Sequence, residues 1–99
     1  MARLYVYKIK MIMEKRTGTV IIGIENRESA PSVNAIISKH SDIIIGRLGL
    51  PRTEGISLIN LVVEGTTDEI GSLTGQLGKL DGIEVKSAVL KRDSSLRSE

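Results

Sequence analysis

DIIIGRLGLPRTEGISLINLVVEG, residues 42–65, holds two β-rich runs separated by a short polar loop. The runs are IIIGRLGL (43–50) and ISLINLVVEG (56–65), with Pro51-Arg52-Thr53-Glu54-Gly55 between them. Proline opening a loop, and glycine just before a β-rich run, are the turn chemistry of a hairpin with a longer connection. Both arms are apolar on both faces. Ile43 and Ile45 alternate with Ile44, Gly46 and Leu48, while Ile56, Leu58 and Val62 alternate with Ile59, Leu61 and Val63. A strand with apolar residues on both sides is covered on both sides.

Upstream of the hairpin, TVIIGIEN (19–26) reads as a strand with Val20, Ile22 and Ile24 on one face and Ile21, Gly23 and Glu25 on the other. Asn26-Arg27-Glu28 turns the chain into a helix with Ser29 as N-cap and Ala30 and Pro31 in its first turn. Val33, Ile36, Ile37 and His40 follow the i, i+3, i+4, i+7 spacing of an amphipathic helix. Downstream, Thr66 and Glu69 have the capping-box spacing, and Ile70, Leu73, Leu77 and Leu80 supply a core stripe. Gly71, Gly75 and Gly78 form a second stripe, which fits either close backbone approach to a neighbour or a marginal helix fraying from Gly78. Asp81-Gly82 then leads into a strand over 83–91, with Ile83, Val85 and Val89 on one face.

The element order is therefore β-α-β-β-α-β. With right-handed crossovers it folds as an α+β, ferredoxin-like sandwich: a four-stranded antiparallel sheet with two helices on one face. Two helices leave the other sheet face bare, so its apolar residues predict a homo-oligomer, dimer or tetramer, packed through that face. Residues 1–16 read as an N-terminal arm, either an extra edge strand or an unordered extension. The domain spans 17–92 and a polar tail spans 93–99.

Ninety-nine residues suit one small domain. There is no Phe or Trp, and both tyrosines lie in the first seven residues, so the core is aliphatic. A net charge of +2, with lysine and arginine gathered toward the two ends, argues against a nucleic-acid partner. The absence of cysteine excludes disulfides and thiolate chemistry and fits the cytoplasm. No apolar run approaches the ~20 residues of a membrane span, and MARLYVYKIKMIM makes a poor signal peptide.

Candidate chemistry is sparse. His40 is the only histidine and stands at the end of the first helix, so no metal ligand set is expected from one chain. Arg47 and Arg52, with Gly46, Gly49 and Pro51 around them, can offer forked donors to a carboxylate or phosphate. Solvated or inter-subunit salt bridges are the alternative use. Asn26, Arg27, Glu28 and Ser29 sit where a strand hands over to a helix, a place whose free N–H groups accept an anion. No nucleophile–base pair and no spaced carboxylates are evident, which argues against an enzyme.

GTVIIGIENRESAPSVNAII (18–37), DIIIGRLGLP (42–51) and GISLINLVVEGTTDEIGSLTGQLGKLDGIEVKSAVLK (55–91) closely resemble the small iron-only hydrogenase system regulators. That family is similar in fold to ACT domains and to the C-terminal domain of the nickel-responsive repressor, regulatory modules that pair through their sheets or edges. The resemblance implies a stand-alone ACT-like regulatory domain. A small-molecule effector and a hydrogenase-system protein are the partners it implies, and no cofactor. In ACT domains the effector sits near the turn from strand one to helix one, which implicates Asn26, Arg27, Glu28 and Ser29. The ligand-binding set expected here is therefore Asn26, Arg27, Glu28, Ser29, Arg47, Gly49 and Arg52. The alternatives are a structural interaction module without ligand, and a DNA-binding or metal-responsive transcriptional regulator.

Overall fold

The computed structural model describes residues 14–93, so most of the arm and most of the tail lie outside the described residues. Strand β1 (Arg16–Ile24) is followed by a 3-10 turn at Arg27–Ser29 and helix α1 (Ala30–Lys39). A second 3-10 turn, Ser41–Ile43, leads into β2 (Ile44–Leu50), and β3 (Ser57–Gly65) returns antiparallel to it. Helix α2 (Thr67–Gly78) and β4 (Ile83–Asp93) complete the chain. The sheet order is β2-β3-β1-β4 with every neighbouring pair antiparallel, the ferredoxin-like α+β arrangement.

Strand β1 is central because it is hydrogen-bonded on both sides. Val20 lies opposite Leu61 and Ser87, and Ile22 opposite Ile59 and Val85. Val20, Ile22, Leu61 and Val63 are fully buried beneath the helices, whose Val33, Ile37, Ile70, Leu73 and Leu77 complete an all-aliphatic core. Burying such side chains contributes roughly 1.5–3 kcal/mol each, and no buried charge offsets it among the described residues. The capping box of α2 is formed in full. The Thr66 hydroxyl accepts the Glu69 N–H at 3.1 Å, and the Glu69 carboxylate accepts the Thr66 N–H at 2.9 Å.

Several local expectations change in three dimensions. Strand β1 begins at Arg16 and ends at Ile24, three residues earlier than TVIIGIEN suggests at its start and two at its end. Its end is set by the turn before β4: the N–H groups of Glu25 and Asn26 leave the ladder and donate to the Gly82 carbonyl, at 2.9 and 3.4 Å. Ser29 stands at the N-cap of α1, but its hydroxyl donates to the Asp81 carbonyl at 2.7 Å instead of capping. Asn26 caps the 3-10 turn that precedes α1, its side-chain oxygen accepting the Glu28 N–H at 3.0 Å. Ile43 is buried in the 3-10 turn, and a register shift between Ile44 and Gly46 leaves Ile45 out of the ladder and exposed. Gly71, Gly75 and Gly78 are exposed, with open space where a side chain would project, so nothing within the protomer approaches them. The helix continues through Gly78.

Among the described residues no helix covers the sheet's second face. Ile21, Leu48, Leu50, Leu58 and Val62 point out from it, between 36% and 70% exposed.

Candidate functional site

The end of the sheet where β1 stops gathers three elements: the 3-10 turn at Arg27–Ser29, the start of α1, and the hairpin loop 51–56. Arg27 reaches across to that loop. Its Nη2 donates to the carbonyls of Arg52 and Thr53, at 3.1 and 3.0 Å. Arg47 lies on β2 opposite Leu61, hence on the helix side of the sheet, and its Nη2 donates to the Asn34 side-chain oxygen of α1 at 2.9 Å. Gly49, opposite Ile59, shares that side, and a Cβ added there would meet open space.

Arg27, Arg47, Asn34 and Gly49 line one cavity of about 280 Å³, with Ile24, Pro51 and Ile59 among its apolar walls. Among the described residues the one ion pair is Arg16 with Glu14 at 2.9 Å, so neither cavity arginine has a carboxylate partner. A guanidinium carries five donors, and the hydrogen bonds of Arg27 and Arg47 all use Nη2. The cavity thus offers unused cationic donors beside an apolar surface, the chemistry that takes a carboxylate or phosphate.

The seven residues singled out from the sequence divide three ways. Arg27, Arg47 and Gly49 come together at the cavity. Asn26 and Ser29 are occupied in holding the 3-10 turn and the Asp81-Gly82 turn, and Glu28 is exposed. Arg52 supplies a carbonyl to Arg27 and an N–H to the Ser57 hydroxyl at 3.1 Å. Arg52 also lines a second, larger hollow of about 580 Å³ on the bare sheet face, with Ile21, Gly23, Ile56, Leu58, Glu84 and Lys86. Asn34 was not singled out. It is a polar residue on the exposed side of a helix, and no spacing ties it to Arg47. Glu84 and Lys86 were legible only as the polar alternates of β4.

His40 serves the fold. Its Nδ1 lies 2.8 Å from the Ile36 carbonyl and so carries the proton, and Nε2 lies 3.1 Å from the Ser72 hydroxyl. The ring therefore ties the end of α1 to α2. Among the described residues no group of three or more His, Cys, Asp or Glu could hold a metal ion. No helix among them is long and apolar enough to cross a membrane.

Residues 16–87 match a family model described as "TM1266-like: Iron-only hydrogenase system regulator, putative". Among solved structures, the chain is similar to protein TM1266 from Thermotoga maritima, with 39% identity and a TM-score of 0.74, covering 79% of this chain and 100% of that one. The ACT domain from GTP pyrophosphokinase of Chlorobium tepidum aligns at 24% identity and a TM-score of 0.55, covering 78% and 86%. The C-terminal domain of the MgtC protein from Mycobacterium tuberculosis aligns at 13% identity and a TM-score of 0.55, covering 86% and 96%. These last two show a shared fold and nothing more. No curated protein gives a significant match.

Proposed function

This chain belongs to the TM1266-like family of iron-only hydrogenase system regulators and has the ACT-like fold, and on that premise we propose that it is a non-catalytic regulatory domain that works as an oligomer and responds to a small ligand. The working unit is 17–92, with the arm and the tail appended to it, and its place is the cytoplasm. The carrying observation is the bare sheet face. Leu48, Leu50, Leu58, Val62 and Ile21 stand exposed side by side, while β4 presents Glu84 and Lys86 beside them. A contiguous apolar patch with a polar rim marks an interaction surface. A second copy is the natural occupant, because a two-fold pairing sets the same patch against itself.

The ligand site in this reading is the cavity of Arg27, Arg47 and Gly49, with Asn26, Glu28 and Ser29 framing the turn behind it and Arg52 reaching the other face. A hydrogenase-system protein is the downstream partner that the family suggests.

Sedimentation of the full chain at micromolar concentration tests the assembly. A dimer or tetramer is expected, and a well-folded lone protomer overturns it. Thermal shift against small acids, nucleotides and metal ions tests the ligand: stabilisation rises with RT ln(1 + [L]/Kd), about 2.7 kcal/mol at a hundredfold excess over Kd. No stabilisation at millimolar concentration would leave an interaction module without ligand.

A further inference from the structure

The loop Pro51–Ile56 is a wall of both hollows. On the helix side, Pro51 closes the Arg27–Arg47 cavity. On the bare face, Arg52, Gly55 and Ile56 border the larger hollow, and Ile56 leans over Gly23 so closely that a Cβ there would lie 3.2 Å from its Cγ2. The loop is exposed along its length and turns through Gly55 at φ +81°. Among the described residues, the side chain that ties it toward the turn before α1 is Arg27, through the carbonyls of Arg52 and Thr53.

We propose that the occupant of the cavity is a small oxyanion with an apolar body, a carboxylate or a phosphate ester, and that it takes Arg27 away from the loop. This rests on the reading of the cavity as the ligand site. The reason is a difference in acceptors. The loop gives Arg27 two neutral carbonyls, whereas an oxyanion adds a full opposite charge and two oxygens that match the guanidinium fork. Arg47, tied to Asn34, presents the second cation, and Ile24, Pro51 and Ile59 receive the apolar body. Once Arg27 turns to the ligand, the loop loses its tether and Ile56 shifts over Gly23. Occupancy on the helix side is thereby reported on the sheet face that the oligomer uses, which is what couples two distinct sites.

The test is nuclear magnetic resonance of the full chain titrated with inorganic phosphate, with isovalerate, and with isovaleramide as the uncharged counterpart. The Arg27 and Arg47 guanidinium signals are expected to shift with one or both anions and not with the amide. The backbone amides of Gly55, Ile56 and Gly23 should shift over the same concentrations. Response to phosphate alone identifies a phosphate-bearing ligand, and response to isovalerate a carboxylate; either supports the proposal. R27Q without any anion should move the same three amides, because it unties the loop directly. G49V, which points into open space, should fold normally and weaken anion binding at least tenfold.

Arginine signals that respond while the loop amides stay still overturn the coupling and leave the ligand reading standing. Unmoved loop amides in R27Q overturn it as well. Arginines silent to both anions, or an equal response to the amide, overturn the oxyanion and the ligand reading with it.

Discussion

Leu61 and Leu58 sit on the same strand, three residues apart, and lead opposite lives. Leu61 faces the helices and is fully buried; Leu58 faces away and is 36% exposed. Their side chains are identical, and their strand carries apolar residues on both sides. The difference lies in what covers each face: two amphipathic helices on one, and no other element among the described residues on the other. One face of the sheet therefore holds the protomer together, while the other leaves its apolar side chains exposed.

That contrast can be broken by experiment. L61A should have the largest effect, destabilising the protomer by about 2–5 kcal/mol in denaturant unfolding, since the core around it cannot collapse fully. L58A on the opposite face should cost the protomer less than about 1 kcal/mol, and equal costs would erase the distinction between faces. Next comes G82A, expected to cost about 1–3 kcal/mol by the same measurement. Gly82 has φ +68°, and a Cβ there would lie 2.5 Å from that of Asn26, so the turn that stops β1 and anchors Ser29 would be forced apart. T66A tests the helical layer that makes the two faces unlike. Losing the capping box should lower stability by about 1 kcal/mol, with α2 fraying first by hydrogen exchange. The smallest effect on folding, within about 0.5 kcal/mol, is expected for L48E. Leu48 is 70% exposed in the protomer, yet a charge there should dissociate the assembly in sedimentation.

Much of the fold was legible because it is written in short-range patterns. The alternation in TVIIGI and in ISLINLVV assigned faces correctly, as buried Val20, Ile22, Ile59 and Leu61 demonstrate. The T-x-x-E spacing placed the start of α2 at Thr67. Ends of elements were less legible. Strand β1 stops where Gly82 takes over its N–H groups, a partner more than fifty residues away. The candidate site was legible in part. Arg47 and Gly49 stand out by chemistry and Arg27 by position, and the three share a cavity; Asn26 and Ser29, which stand out by the same position as Arg27, are hydrogen-bonded into the fold.

Periodicity and capping chemistry, which act over a few residues, settled the order of strands and helices, the aliphatic core and the excess of apolar residues on the sheet. Folding alone chose the long-range pairings: Arg47 with Asn34 of α1, Arg27 with the carbonyls of a loop, Ser29 with Asp81. Local preferences say which way a side chain points. Whom it meets depends on how the sheet and helices close on each other, and the spacing of residues along the chain does not record that.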